Sequence, residues 1–211
     1  MYTLRLYQDR FDSNAKTIRD LEGQHSIVYI LEGSATVNGE QLEKDTAVYR
    51  RDVATIETGP SGAQVWRWEL VPTSEPNNLA QGAGIKSHLR MSRQIKMFEL
   101  VPTSKWLFRL DSVFDHEGTT GLHFHPGSGI RCLVKGNLLV ESEKGECSNN
   151  RQPGEAWYEE GCYPVISTAD EGVKTTFLRG MILPPEFVKY PQTAQAVWIE
   201  GTKSFKSHRK T

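Results

Sequence analysis

Turn-forming pairs cut this chain into short apolar runs, and that punctuation leaves few folds open. Glu32-Gly33, Asn38-Gly39, Gly59-Pro60, Lys144-Gly145 and Pro153-Gly154 separate runs such as Ser26–Leu31, Ala47–Tyr49, Val65–Val71 and Leu138–Val140. These runs are rich in β-branched and aromatic side chains, which suit a pleated, half-buried surface. Asn38-Gly39, between Ala35–Val37 and Gln41-Leu42, is the best two-residue hairpin in the chain, because both residues accept positive φ. Helical periodicity is scarce; Pro184–Tyr190 suits a turn or two of helix, with proline at its start. Strands at short spacing predict an all-β sandwich or barrel with few short helices.

With 211 residues the chain has room for one large domain or two small ones. Its 25 Lys and Arg nearly balance 26 Asp and Glu, for a net charge of -1. That balance gives no electrostatic footprint for nucleic acid or an anionic membrane. The basic stretch Lys203–Lys210 reads as a frayed, solvated terminus. No apolar run approaches the ~20 residues a membrane helix needs, and no signal-peptide core opens the chain. A soluble, cytoplasmic protein is expected. Cys132, Cys147 and Cys162 are odd in number and lack Cys-any-any-Cys spacing, which argues against a disulfide framework or a thiolate zinc site. Cys132 and Cys162 read as buried or half-buried hydrophobes.

His123-Phe-His125 places two imidazoles on one side of a strand, since side chains alternate with period two. Two such rings can converge on one point, as metal ligands must. Pro126-Gly-Ser-Gly129 then reads as a turn and Ile130–Val134 as the returning strand of a hairpin, closed by Lys135-Gly136-Asn137.

This arrangement resembles the first motif of the cupin family, His-any-His followed by a Glu and then a Gly. The spacing from His125 to Gly136 fits, while the Glu position falls on Gly129. The second motif has its counterpart in Gln152–Val165: Pro153-Gly154-Glu155-Ala156 matches the turn and Gly161 the later one, but the expected histidine falls on Pro164. Two of four family ligands are present. The resemblance implies cupin-type β-barrels of the double-stranded β-helix, or jelly-roll, kind.

An internal duplication extends the resemblance to most of the chain. Tyr29–Val37 parallels Cys132–Val140, and Leu42–Tyr49 parallels Arg151–Tyr158 in the same order. Glu69–Ser74 also recurs verbatim as Glu99–Ser104. A two-domain cupin is expected: a barrel without a metal motif over 1–74, a connector over 75–95, a barrel with the His pair over 96–190 and a tail over 191–211. In the first copy the ligand positions fall on Asp20, Glu22 and Ser26, which argues for packing or dimerisation rather than metal. His25 has the opposite parity.

In the second copy Arg131 shares a face with Gly129, and the resemblance puts that face inward. A buried guanidinium must find an anion. One source is a protein carboxylate, from Glu141, Glu155, Glu159 or Glu160; the other is the carboxylate of a substrate, bound in bidentate fashion. The resemblance implies His123 and His125 as metal ligands, with Glu159 the first choice as third ligand and Glu160 the alternative. Two histidines and one carboxylate suit non-haem Fe(II), with Mn, Ni and Zn as other occupants. Gly129 would leave open the space of the missing Glu for a substrate's oxygens. Trp157 and Tyr163 either wall a pocket or belong to the core, and His116 reads as a surface loop residue.

Two functions follow. In one, a divalent metal and Arg131 act on a small carboxylated or oxygen-rich metabolite, with dioxygenase, isomerase or lyase chemistry and Arg131 as the catalytic anion-orienting group. In the other, the second barrel is a metal-free small-molecule-binding or regulatory module. A homodimer is expected from family analogy, and a nucleic-acid or membrane partner is not.

Overall fold

The computed structural model describes residues 1–18, 21, 25–53, 55–95, 106–144, 148–184, 196–200 and 206–211. Its compact units are Met1–Gln94 with Lys210–Thr211, and Ile95–Arg209. The described residues are all-β, with no helix among them. The helix expected at Pro184–Tyr190 lies, after Pro184, outside the described residues, as do Asp20, Glu22, Cys147 and the second Glu-Leu-Val-Pro-Thr-Ser copy.

In the first unit the strands are β1 (Tyr2–Phe11), β2 (His25–Val37), β3 (Glu40–Glu43), β4 (Ala47–Arg50), β5 (Ile56–Pro72) and β6 (Ile85–Ile95). They form one sheet in the order β3-β2-β5-β1-β6, with β4 also on β2. Asn38 and Gly39 turn the β2–β3 hairpin at φ of 48° and 83°, as their sequence predicts. Gly59-Pro60, read as a turn, instead continues inside the long strand β5. The ladder absorbs the irregularity: register slips between Ile30 and Glu32 and again between Gly33 and Ala35. Gly33 sits there at φ 75°, and a Cβ on it would run into the Gly62 carbonyl oxygen. Part of the stretch read as connector is strand β6, whose alternating exposure from Ile85 onward is the pattern of a sheet edge.

In the second unit the strands are β7 (Leu107–His116), β8 (Gly118–Thr119), β9 (His123–Phe124), β10 (Gly129–Lys135), β11 (Leu138–Ser142), β12 (Ser148–Arg151), β13 (Ala156–Glu159), β14 (Val165–Ala169), β15 (Thr175–Leu183), β16 (Val197–Trp198) and β17 (Lys206–Arg209). One sheet runs β13-β10-β15-β7-β17 and the other β12-β11-β14-β9-β16, with β8 on β14. None of the three sheets closes on itself. Val113, Leu133, Trp157 and Phe177 from the first of these sheets pack with Leu138, Val140, Val165 and Ala169 from the second. This sandwich core holds the two layers together. The basic terminus is no frayed tail at Lys206–Arg209, because backbone pairing with β7 holds it as an edge strand.

The same local order recurs in the two units. β5 lies between β2 and β1, and β15 lies between β10 and β7. Across these strands Val28, Arg67 and Tyr7 align in one row, and Arg131, Arg179 and Asp111 in the other. Leu133→Ala, at a fully buried position of the second core, should lower stability by about 2–5 kcal/mol. Urea unfolding followed by circular dichroism measures it.

Candidate functional site

His123 and His125 are both buried, at 3 % and 4 % exposure, and their ring centroids lie 5.1 Å apart at 85°. The pair is brought together by a sharper device than a hairpin. β9 pairs with β14 and β16, while β10 pairs with β13 and β15. The Pro126-Gly-Ser-Gly129 segment therefore carries the chain from one sheet to the other, which corrects the hairpin expectation. Cys162 N–H donates to the His125 carbonyl at 2.7 Å, Ile182 N–H to Ser128 O at 2.8 Å, and Ser128 Oγ to Glu160 O. These bonds fix the corner.

His123 Nδ1 lies 2.8 Å from the Gly121 carbonyl oxygen. A carbonyl only accepts, so Nδ1 carries the proton and Nε2 keeps its lone pair. Burial holds the His123 pKa below its ordinary value, which keeps the ring neutral. Trp198 tilts over that ring at 4.7 Å. It arrives on β16, in the stretch read as a tail, and only its position in an apolar Val197-Trp-Ile199 run could have flagged it.

Glu159 lies across from Gly129 in the β10–β13 ladder. Its Oε2 lies 3.3 Å from His125 Nε2 and 2.8 Å from Arg131 Nη2. Its Oε1 accepts from Trp157 Nε1 at 2.8 Å. The Arg131 contact is close but misaligned, so it is a charge contact without a hydrogen bond. Arg131 Nη1 donates to Gly129 O at 2.6 Å. Of the four carboxylates considered, Glu159 is the one beside Arg131. Glu160 instead offers its backbone carbonyl to Ser128.

Gly129 leaves no vacancy. A Cβ there would strike the Gly180 carbonyl oxygen and lie 3.0 Å from both Arg131 Nη1 and Met181 Cγ. The guanidinium and the neighbouring strand already fill the space expected for a substrate's oxygens. Trp157 is 1 % exposed and belongs to the core while also holding Glu159. Tyr163 lies under Lys144 Nζ, 4.4 Å from its ring centroid. His116 is fully buried rather than on a surface loop, with Nε2 3.1 Å from Ser167 Oγ; β7 runs through to this residue, so its side chain stays inside the sandwich. Cys132 is buried as expected, but Cys162 is exposed, because it sits at φ 59° in the turn after Gly161.

The site extends into a row the sequence reading missed. Arg109 and Asp111 on β7 and Arg179 on β15 share the inward face with Arg131, each at most 1 % exposed. Arg109 Nε donates to Asp111 Oδ1 at 2.5 Å, and Arg179 Nη2 to Asp111 Oδ2 at 3.4 Å. Burial lowers the pKa of Arg131, with Glu159 opposing it, and pushes Arg179 down to about 10. Among the described residues Arg131 Nε and Nη2 and Arg109 Nη1 have no hydrogen-bond acceptor. Charged residues at alternate positions of apolar strands, Arg109 and Asp111 in Leu107–His116, were the signal available in the sequence.

Two imidazoles and a carboxylate suit a divalent cation as donors, but their surroundings do not. Among the described residues no group of three or more His, Cys, Asp and Glu side chains is placed to hold a metal. Arg131 already contacts the Glu159 oxygen that would serve. A further cation ~4 Å from a guanidinium meets a repulsion of about 4 kcal/mol per unit charge at an effective dielectric near 20. The residues present do not fit a resident metal while Arg131 remains charged beside them.

No protein-family model matches the chain, and no curated protein matches it either. Solved structures do. A deletion mutant of Bacillus subtilis oxalate decarboxylase superposes with a TM-score of 0.59 at 12% identity, over 92% of this chain and 71% of that one. Vicilin from Solanum lycopersicum gives 0.61 at 8%, over 95% and 78%, and AerE from Microcystis aeruginosa 0.56 at 12%, over 84% and 87%. The fold is a cupin fold. At identities this low the likeness carries the cupin architecture and nothing of activity. No helix among the described residues is long and apolar enough to cross a membrane.

Glu159→Gln would leave Arg131 buried without its counter-charge and should lower stability by about 3–5 kcal/mol. The double variant R131M/E159Q should lose less than the sum of its parts, by roughly 0.5–3 kcal/mol. Urea unfolding of the four proteins in the cycle gives both numbers.

Proposed function

We propose that this chain is two cupin units in tandem and that the second binds a small carboxylated molecule without a resident metal. The observation that carries the reading is the pair of buried guanidinium donors, Arg131 Nε and Arg109 Nη1, that meet no acceptor among the described residues. Leaving a buried charged donor unmatched is costly, and a ligand carboxylate relieves that cost. A planar guanidinium is also the protein group that best matches a carboxylate's two oxygens. Neutral His123 and its Trp198 cover supply an apolar and weakly polar wall beside the charge, as small-molecule sites commonly have.

A second reading, metal-dependent dioxygenase, isomerase or lyase chemistry at His123, His125 and Glu159, is favoured by one observation. The His123 Nδ1 bond to Gly121 O leaves Nε2 free to ligate. Stoichiometric Fe, Mn, Ni or Zn in protein purified without chelator would select it over the metal-free reading.

The anion reading is tested with acetate and pyruvate against acetamide at matched ionic strength. Carboxylates should raise the melting temperature and bind in calorimetry, and R109M should weaken them at least about tenfold. Equal responses to acetate and acetamide would contradict it.

A further inference from the structure

The geometry points to a separate ligand site in the first unit, built for a neutral polyhydroxylated molecule of sugar size. An open cavity of about 600 Å³ lies where β1 ends and β5 arches, and its walls include Arg10, Asp12, Ser13, Glu32, Ser61 and Gln64. That volume falls within the range of small-molecule sites, about 300–1,000 Å³. Its walls depart from theirs, because polar side chains dominate and the adjoining Phe11 is buried. A hydrophilic occupant suits such walls and an apolar one does not.

The backbone makes this hollow. The β5 residues 59–62 stand against the single β2 residue Ser34, so the extra chain arches out of the ladder. Gly33 and Gly62 hold the arch at φ 75° and 65°, and a Cβ on Gly62 would run into the Phe11 carbonyl oxygen. Ser13 Oγ donates to Pro60 O at 2.6 Å and ties the opposite rim to the arch. On this frame Arg10, Gln64 and Glu32 form one row across β1, β5 and β2. Gln64 Nε2 donates to Glu32 Oε2 at 2.7 Å, which orients both groups. The Arg10 guanidinium and the Asp12 carboxylate have no partner among the described residues.

Charge decides the ligand class. One guanidinium is set among two carboxylates, so the walls carry an excess of negative charge and repel an anion. The two carboxylates do not make a cation site, since among the described residues no three His, Cys, Asp or Glu side chains are placed to hold a metal. A hydroxyl answers both signs, because it donates to a carboxylate and accepts from a guanidinium. Neighbouring hydroxyls on one ring can therefore serve Asp12 or Glu32 and Arg10 together. None of these residues belongs to the arginine row of the second unit, so the two sites stand or fall separately.

Titration of nitrogen-15-labelled protein with glucose, galactose, mannose and xylose tests the site, with tetrahydropyran as the ring that lacks hydroxyls. At least one sugar should shift the backbone amides of Arg10–Ser13, Glu32-Gly33 and Ser61–Gln64 and approach saturation by about 50 mM. Tetrahydropyran should leave them in place. Arg10→Ala and Glu32→Ala, both at exposed positions, should keep the amide spectrum of the fold and each weaken that sugar at least about fivefold. Phosphorylated glucose should bind no more tightly than glucose, because its charge meets the excess of carboxylates. Silence of these amides toward all four sugars overturns the inference, as do equal shifts with tetrahydropyran or undiminished binding in either variant. Phosphorylated glucose binding about tenfold or more tightly than glucose overturns it too, since that is the behaviour of an anion site.

Discussion

The second unit depends on how it keeps charged guanidinium groups inside a sandwich of apolar side chains. Arg131, Arg179 and Arg109 sit on the face that carries Leu133, Phe177 and Val113, each arginine at most 1 % exposed. Asp111 and Glu159 are the carboxylates that meet them among the described residues. Removing either carboxylate would strand a charge where the effective dielectric is low. The unit therefore holds a fixed electrostatic arrangement, and every reading of its chemistry has to start from it.

The first unit shows what a closed version of the same row looks like. Arg67 occupies the register position that Arg179 holds in the second unit. Its Nε donates to Asp9 at 3.0 Å, its Nη1 to Glu69, and its Nη2 to Asn78 O at 2.9 Å. The Tyr7 ring lies 4.4 Å beneath the guanidinium carbon. All three guanidinium nitrogens of Arg67 are used, while Glu69 Oε2 is left without a hydrogen bond among the described residues. In the second unit Val28 of that row becomes Arg131, Tyr7 becomes Asp111, and the extra guanidinium donors outnumber their acceptors. Two units of like strand order thus spend their buried charge differently.

Much of this was legible because it rests on local chemistry. The strand runs and the Asn38-Gly39 hairpin follow from side-chain alternation and turn preferences, whereas the inward Arg131 and the choice of Glu159 come from the family resemblance. What was not legible depends on partners far along the chain. Gly59-Pro60 looks like a turn, yet it lies within strand β5, where residues 59–62 stand against the single β2 residue Ser34 between the Gly33–Ala63 and Ala35–Thr58 pairs. The His pair and Ile130–Val134 look like a hairpin, but long-range pairing assigns them to different sheets. Gly129 looks like an emptied ligand position, and only the approach of Gly180 and Arg131 shows it to be filled. The full ionic row Arg109–Asp111–Arg179 is invisible until register is known, since Arg179 comes from a strand far along the chain.

Nitrogen-15 spectra of the arginine side chains would test the central claim most directly, because they report each guanidinium separately. The account predicts that titration with acetate moves the Arg131 Nε resonance and slows its proton exchange, while Arg67, with all three nitrogens already engaged, stays unchanged. An Arg131 signal that ignores the carboxylate, or one that moves no more than that of Arg67, would contradict it.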